Sequence, residues 1–255
     1  MASSRAAVRV LEWDGCANVR DLGGHALADG AVTSYGAFVR ADSLRNLTPV
    51  GWQALVEYGV VRVVDLRWHE ELALDDPYDV PVEVVHVPLF GDSPDPEYGR
   101  YLDERLDATE STDEYFRWSY LDFLGRHRAN FGAAMNALAD AEGTAVVHCM
   151  AGKDRTGLVA ALLLRLAGVD VEQVAHDYAA TDIARLPVHR AWIAAARDGA
   201  EAARRERLSA TPYDAMVGVL TGIEERHGTV ADYLRAAGVK TERLEELRRR
   251  LRPVP

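Results

Sequence analysis

Three short apolar runs along the chain have the pattern of strands buried on both faces. They are VVRVVDL at 60–66, VEVVHVPL at 82–89 and TAVVH at 144–148. Their apolar residues are mostly β-branched, and Gly143 bounds the last run, which is typical of buried strands. Segments with helical apolar spacing alternate with these runs, and continuous apolar strands belong to parallel sheets covered by helices. The pattern therefore predicts an α/β fold with a central, mostly parallel sheet flanked by helices.

Weaker signals complete the first 140 residues. Thr48 and Pro49 form a helix start, a hydroxyl cap followed by proline, and that helix should run to Gly59. The polar, proline-containing stretch 91–110 has no strong period and is predicted to be a mobile loop. Further predicted elements are an edge strand at 8–13, a short strand at 35–40, and helices at 115–126 and 130–138.

The chain after 144–148 is predicted to be helical. A buried apolar helix over 158–166 should end at Gly168. Five more helical regions follow: 171–180, a segment near 187–206, one from Thr211 to Gly228, and short helices starting at Thr229 and Thr241. Thr211 with Asp214, and Thr229 with Asp232, have the spacing of helix caps. No internal repeat or low-complexity linker divides the sequence, so a single domain over 1–255 is expected.

Composition and charge exclude several classes of function. The chain has 255 residues and a formal net charge of −11, which argues against nucleic-acid binding and stable binding to anionic membranes. It has only 2 cysteines, Cys16 and Cys149, so neither a disulfide scaffold nor a cysteine zinc site is predicted. The longest apolar run is too short to span a bilayer, and the first thirteen residues lack a secretion-signal pattern. A cytoplasmic location is the expectation.

The loop that follows the 144–148 strand carries the clearest chemistry. Cys149 and Arg155 are separated by five residues between a strand end and a helix start. Such a loop turns successive backbone N–H groups into an anion-sized cup. The helix N-terminus and the arginine both favour the thiolate form of a cysteine at the mouth of that cup. Arg155 can hold two phosphate oxygens while the sulfur faces phosphorus, so the loop indicates nucleophilic attack on a phosphate.

These residues also resemble a known family. The segment HCMAGKDRTG at 148–157 resembles the signature loop HCxAGKDRTG of bacterial tyrosine-phosphatase-like, lipid-phosphatase-like enzymes, a family of cysteine-dependent phosphatases. NVRDLGG at 18–24, Asp65-Leu66-Arg67, and GTVADYLRAAGV at 228–239 resemble further segments of that family. The resemblance covers nearly the whole chain. It implies the cysteine phosphatase fold, a helical lid at about 170–210, and a helical C-terminal part.

The resemblance also implies roles for individual residues, with no metal and no cofactor. Cys149 would attack phosphorus, Thr156 would donate to the sulfur when it leaves, and Asp154 would be the general acid inside the loop. The phosphate would be bound by Met150, Ala151, Gly152, Lys153, Asp154 and Arg155. Supporting positions would be His148, Asn18, Arg20, Asp21, Asp65 and Arg67. For Asp65 and Arg67, a salt bridge that only ties strand to loop is an equal alternative. Glu70 and Glu71 read as a solvated helix start.

Two features of the reaction remain open at the level of sequence. Asp92 or Asp95, in the stretch 91–110, is the alternative general acid, since many cysteine phosphatases use an aspartate on a separate loop. Cys16 is only two residues from Asn18, so peroxide is predicted to link Cys16 to Cys149 reversibly.

The substrate also remains open. Phosphotyrosine or a small aryl or alkyl phosphate is the main expectation. Lys153, in the loop, resembles enzymes that also take phosphoinositides, and the alternative is therefore a small-molecule phosphate ester such as a biosynthetic intermediate, nucleotide or inositol phosphate. A phosphate-binding pseudophosphatase is the non-enzyme alternative, and the presence of both Cys149 and Arg155 disfavours it. The sequence gives no oligomeric state.

Overall fold

A six-stranded mixed sheet forms the centre of the protein. The computed structural model describes residues 9–73, 75 and 80–252. The strands are β1 (Arg9–Val10), β2 (Arg20–Asp21), β3 (Phe38–Ala41), β4 (Val60–Asp65), β5 (Glu83–His86) and β6 (Thr144–His148). Their order is β1-β2-β3-β6-β4-β5, with β1–β2–β3 antiparallel and β3–β6–β4–β5 parallel. The predicted mostly parallel α/β sheet is therefore confirmed. The edge strand expected at 8–13 is only two residues long, and Val8 lies outside the described residues.

Twelve α-helices surround the sheet in the described part of the chain. They are α1 (Pro49–Glu57), α2 (His69–Leu72), α3 (Pro96–Ala108), α4 (Thr112–Arg126), α5 (Arg128–Ala139), α6 (Asp154–Ala167), α7 (Val171–Ala184), α8 (Leu186–Ala194), α9 (Gly199–Ser209), α10 (Tyr213–His227), α11 (Val230–Ala236) and α12 (Thr241–Leu251). The helical C-terminal part is confirmed. None of the helices in the described ranges is both long and apolar enough to cross a membrane.

The prediction of a loop over 91–110 is wrong, because α3 occupies most of it. Asp95 caps this helix by accepting from the N–H groups of Glu97 and Tyr98 at 2.9 and 3.2 Å. Pro96 takes the first helical position, where a missing N–H costs nothing. The apolar positions 98, 102 and 106 are four residues apart, and Leu106 is buried. The polar composition of 91–110 suggested a loop, but the segment contains an amphipathic helix with an N-terminal cap.

Two predictions in the C-terminal half need correction. The single helical segment expected near 187–206 is two helices, α8 and α9, separated by a short turn. Asp198 caps α9, since its side chain accepts from the N–H of Glu201. Thr211 does not cap α10, because its hydroxyl donates to the carbonyl of Ala179 instead. The cap predicted at Thr229 is confirmed, since its hydroxyl oxygen accepts from the N–H of Asp232.

The central parallel strands are covered on both faces by apolar clusters, whereas β5, predicted to be buried, is a partly exposed edge strand. Val39, Val63 and Val146 belong to the cluster under α1, whereas Val64 and Val147 belong to the larger cluster with α5 and α6. This alternation places successive residues of each strand in opposite cores. The carboxyl ends of β3, β4, β5 and β6 meet at one edge of the sheet, where open α/β sheets bind ligands. Cys149 follows β6, a central strand, at that edge.

Candidate active site

The loop between β6 and α6 is bonded from behind. The carbonyl oxygens of residues 150–152 accept from the N–H of Ser43 (3.0 Å), from Asn18 Nδ2 (3.1 and 3.2 Å) and from Arg40 Nη2 (2.7 Å). In a trans peptide the N–H points opposite to the carbonyl, so the following N–H groups turn to the inner side. The N–H groups of residues 151–153 donate to no protein acceptor in the described ranges. The loop is thus a cup of backbone donors that can hold an anion.

Two glycines let this loop fit beneath its neighbours. Gly152 has φ +64, and a Cβ there would lie 2.6 Å from the carbonyl oxygen of Ala41. A side chain at Gly152 is therefore excluded by both backbone conformation and space. Gly157, in the first turn of α6, leaves room for Tyr178, whose ring would lie 3.0 Å from a Cβ.

Cys149 lies at the start of the cup and is buried, with His148 behind it. His148 Nε2 is 3.4 Å from Asp65 Oδ2, and its Nδ1 is 3.3 Å from the carbonyl oxygen of Cys149. Arg67 binds both oxygens of Asp65 and reaches Asp75 at 2.7 Å. Burial alone would raise the pKa of Asp65, but His148 and Arg67 outweigh it and hold the pKa well below its usual range. Asp65 and Arg67 thus orient the histidine behind Cys149 and lie outside the cup.

Arg155 is fixed by a carboxylate that was expected to be solvated. Glu71 accepts from Arg155 Nη1 and Nη2 at 2.5 and 2.7 Å, a bidentate pair in which both side chains are largely buried. Glu71 also accepts from the N–H of Trp68 at 2.7 Å. The reading of Glu71 as a solvated helix start is wrong, because α2 turns this side chain inward toward the cup. Its neighbour Glu70 is exposed, as expected.

We expect Glu71→Gln to lower kcat/KM for a phosphate monoester by roughly 10- to 100-fold, because Arg155 would lose its orientation. The matched control is Glu70→Gln, one position away and exposed, which should change kcat/KM less than about twofold. Steady-state kinetics of both variants decide the matter. Equal effects of the two substitutions would contradict a positioning role for Glu71.

A buried ion-pair triad supports the cup from below. Asp177 of α7 accepts from Arg20 Nε at 2.8 Å and from Arg40 Nη1 at 2.6 Å. Arg20 also donates to the side-chain oxygen of Asn18 at 2.6 Å, which completes a chain of bonds to the loop carbonyls. Sequence reasoning missed Arg40 and Asp177, since neither lies in a motif that stood out.

Burial and the charges of the triad shift the pKa values of Asp177 and Arg40. Burial alone would raise the pKa of Asp177, but Arg20 and Arg40 outweigh it and hold the pKa well below its usual range. Burial, together with the charge of Arg20, lowers the pKa of Arg40 to about 10, so it stays charged at neutral pH. Two cations share one carboxylate, which leaves net positive charge beneath the phosphate-sized cup.

Replacing Asp177 by Asn should reduce the free energy of unfolding by about 3–5 kcal/mol, since two buried guanidinium groups would lose their counter-charge. The depressed pKa adds a pH dependence. The stabilisation that the Asp177 carboxylate contributes is complete above its pKa in the unfolded chain, about 4, and is lost as the pH falls below that value. Urea unfolding at several pH values should show a shallower acid limb in the variant. Glu246→Gln, which breaks an exposed pair with Arg249, is the control and should cost less than about 1 kcal/mol.

The structure does not bring Asp21 to the cup. Its carboxylate accepts from the N–H groups of Gly23 and Gly36 at 2.5 and 2.7 Å, and from the hydroxyl of Tyr58. Arg20 and Asp21 are neighbours on a strand, so their side chains point to opposite faces. Arg20 faces the loop, whereas Asp21 closes the adjacent turn.

Lys153 also departs from expectation. Its Nζ donates to the carbonyl of Leu208, at the end of α9, at 2.5 Å, and lies 4.1 Å from the ring centre of Phe116. The lysine is buried, and that burial lowers its pKa. In this structure Lys153 is directed toward α9. Thr156 is buried in the first turn of α6, and its hydroxyl has no hydrogen-bond partner in the described part of the chain, so the predicted bond to sulfur is not formed here.

Asp154 is held at the entrance of the cup. Tyr120 donates its hydroxyl to Asp154 Oδ1 at 2.5 Å, and Tyr120 is in turn 2.7 Å from the hydroxyl of Tyr178. The second oxygen, Oδ2, accepts no hydrogen bond within the described ranges. Of the alternative acids, Asp95 caps α3 through its Oδ1, and Asp92 is exposed. The side chain of Asp154 is 38% exposed, so Oδ2 can meet a substrate.

A cavity of about 580 Å³ opens beside the cup. Lys153, Asp154 and Arg155 line it on the loop side. Its remaining walls are mainly aromatic and include Trp68, Phe90, Tyr98, Tyr115, Phe116, Tyr120 and Phe123. An apolar cavity with a few convergent polar groups is the usual form of a small-molecule site. Among the described residues, no three His, Cys, Asp or Glu side chains are grouped so as to hold a metal ion.

Helix α9 reaches the cavity from the region predicted to form a lid. Arg204 pairs with Asp103 and Asp107 of α3 at 2.5 and 2.7 Å, and Leu208 lines the cavity. Helix α7, by contrast, is docked through buried residues such as Asp177 and Tyr178. A lid at about 170–210 stays a prediction, and α8 and α9 are the part of that range that is not buried in the core.

Cys16 lies on the outer side of the loop. Its Sγ donates to the carbonyl of Ser43 at 3.5 Å, and the N–H of Ser43 donates to the carbonyl of Met150. Both cysteines are free. Burial raises the pKa of Cys16 above its ordinary range, which disfavours its thiolate. The peroxide-induced link between Cys16 and Cys149 stays a prediction.

Known proteins of one family match nearly the whole chain. A model of the tyrosine phosphatase family matches residues 11–253. A tyrosine-protein phosphatase of Nostoc commune is 29% identical over 235 aligned positions, covering 84% of this chain and 74% of the relative. The triple specificity protein phosphatase PtpB of Mycobacterium tuberculosis is 28% identical over 282 aligned positions, covering 94% of this chain and 98% of the relative. The chain therefore belongs to the tyrosine phosphatase family and is a phosphoric monoester hydrolase.

Proposed function

We propose that this phosphatase works through a cysteinyl-phosphate on Cys149 and that its substrate is phosphotyrosine or a small aryl phosphate. The observation that carries the mechanism is the cup itself, in which inward N–H groups and the clamped Arg155 surround the position next to Cys149. Charge that develops on the equatorial phosphate oxygens would meet donors already in place. Their orientation would cost little at the moment of reaction.

The proposed reaction has two steps. The Cys149 thiolate attacks phosphorus, the bond to the ester oxygen breaks, and Asp154 gives its proton to that oxygen. Water then attacks the cysteinyl-phosphate, Asp154 takes a proton from the water, and the thiolate leaves with inorganic phosphate as the product. Thr156, whose hydroxyl is otherwise unpaired, would donate to the departing sulfur.

The aromatic walls of the cavity support the aryl substrate. Rings such as Phe90, Phe123 and Tyr98 offer faces and edges to a bound ring, which a sugar phosphate would not use as well. Lys153 is turned toward Leu208, and this disfavours the alternative of a polyphosphorylated small molecule, which would need that ammonium.

One profile of rates tests the proposal. We expect kcat/KM for a phosphotyrosine peptide and for naphthyl phosphate to exceed that for phosphoserine peptides, sugar phosphates and inositol phosphates. Acid quench followed by mass spectrometry should find phosphate on Cys149. Preference for an inositol or sugar phosphate would overturn the substrate, and phosphate on another residue would overturn the mechanism.

A further inference from the structure

One face of α4 forms a continuous wall of the cavity. Tyr115, Phe116, Ser119, Tyr120, Phe123 and Arg126 all line it. Tyr120 contacts Asp154, so this point of α4 is level with the cup. Arg126 is six residues farther along, which is about 9 Å along a helix axis. The cavity therefore extends from the phosphate cup to a cation at the far end of the same helix.

Three cationic side chains line the cavity, and they differ in how strongly they are bound. Arg155 is clamped by Glu71, and Lys153 donates to the carbonyl of Leu208. Among the described residues, Asp122 is the one carboxylate within ion-pair range of Arg126, and the Arg126 Nε lies 3.6 Å from it. The Arg126 side chain is 47% exposed, so its guanidinium has donors to spare.

Arg126 is stacked on one wall of the cavity. Its guanidinium carbon lies 4.0 Å from the ring centre of Tyr98, which is itself part of the cavity wall. Stacking on a ring orients an arginine but leaves the edge of the fork free for a carboxylate or phosphate. Nearby His127 is stacked on Phe90, and burial lowers its pKa, so Arg126 carries the charge at this end at neutral pH.

Neither of the acidic groups near the far end forms a close ion pair with Arg126. Asp95 also lines the cavity, and its Oδ1 accepts from the N–H groups of Glu97 and Tyr98, which holds this carboxylate at the start of α3. Asp122 accepts from the hydroxyl of Tyr98, and that bond competes for the carboxylate with Arg126.

We propose that Arg126 forms an anion subsite at the far end of the cavity, and that the preferred substrate is a phosphate monoester whose apolar, ring-containing body separates the phosphate from a second anionic group. This inference rests on the proposed function, since it assumes that the phosphate occupies the cup. It specifies what that function leaves open, namely the chemistry of the rest of the substrate.

A pair of rigid probes measures the subsite directly. They are 4-biphenyl phosphate and the same molecule with a carboxylate at the 4′ position, so that only the distal charge differs. We expect the wild type to prefer the carboxylate probe by roughly fivefold in kcat/KM, mostly through KM, because an exposed ion pair adds modest affinity. The preference should shrink as salt is raised from 0.05 to 0.5 M, about the range over which surface charges are screened.

Two variants assign the preference to Arg126. Arg126→Gln should bring the ratio of the two probes close to one, and Arg126→Glu should invert it. The control is Arg105→Gln, which removes an arginine that is stacked on Trp118 at 4.7 Å but lies outside the cavity walls. This control should keep the wild-type ratio.

The outcomes separate the inference from the function it rests on. If the wild type hydrolyses both probes with the same kcat/KM, the subsite is wrong while the phosphatase mechanism stands. If phosphate release does not require Cys149, the mechanism fails first. The source of the second anion is identified by kcat/KM for phosphotyrosine peptides that carry either Glu or Gln near the phosphotyrosine. A preference for the Glu peptide that depends on Arg126 indicates an acidic peptide. A preference that is limited to the rigid probes indicates a small molecule. Loss of the ratio in Arg105→Gln would also overturn the assignment.

Discussion

Cys149→Ser should abolish turnover and yet still bind inorganic phosphate. A serine hydroxyl is a far weaker nucleophile than a thiolate in the same place, so we expect kcat to fall by about 10⁴-fold or more. The cup should survive the substitution, because its carbonyls are bonded from behind by Asn18, Arg40 and the N–H of Ser43. Calorimetric titration with phosphate should give an affinity within about tenfold of the wild type.

The second cysteine supplies the matched control. Cys16→Ser changes a thiol on the outer side of the loop, and its kcat should stay close to that of the wild type. Arg155→Met is the converse test, because it removes a proposed ligand of the phosphate and should weaken both phosphate binding and the rate of turnover. Substantial turnover in Cys149→Ser would show that the nucleophile is another group or water.

Asp154→Asn should slow alkyl phosphates much more than nitrophenyl phosphate. An alkoxide leaves with great difficulty unless it receives a proton, whereas nitrophenolate leaves readily without one. We therefore expect a loss of about 10²- to 10⁴-fold for an alkyl ester and a much smaller loss for nitrophenyl phosphate. In the wild type the alkyl rate should fall at high pH as the acid loses its proton, and the variant should lack that limb.

Asp92→Asn and Asp95→Asn are the controls for the position of the acid. Neither should change the selectivity between the two esters, although Asp95→Asn removes a charged cap of α3 and should cost up to about 1 kcal/mol of stability. A leaving-group effect at Asp95 or Asp92 would move the general acid to the segment before α3. Asp154 would then serve only to receive the hydrogen bond of Tyr120.

The parts of this protein that could be predicted are those encoded by neighbouring residues. β-Branched runs predicted β4, β5 and β6, and the loop with its adjacent strand and helix located Cys149 and Arg155. Glu71 was misread because its partner, Arg155, is 84 positions away along the chain. Asp177 and Arg40 were missed for the same reason, since only the folded sheet and α7 bring them together.

Two predictions from local sequence were wrong because a hydrogen bond that the sequence does not reveal decides the local structure. The segment before α4 is polar and contains proline, but in Asp95–Pro96 the proline starts a helix rather than interrupting one. Thr211 has the spacing of a cap, but a carbonyl of α7 lies within reach and takes its hydroxyl. In both cases the deciding contact is a hydrogen bond that the letters alone do not reveal.

The ion-pair triad beneath the cup determines when, during synthesis of the chain, the anion site can be completed. Asn18 and Ala151 are 133 positions apart, and Arg20 and Asp177 are 157 apart. Contacts so distant form late, because the entropy of closing the intervening chain must be overcome first. On the ribosome, the Cys149 loop emerges before α7, when Arg20 and Arg40 still lack their shared carboxylate. A nascent chain that ends before Asp177 therefore carries Cys149, the proposed nucleophile, but not the finished anion site. Phosphate should therefore begin to stabilise the protein only once α7 has docked.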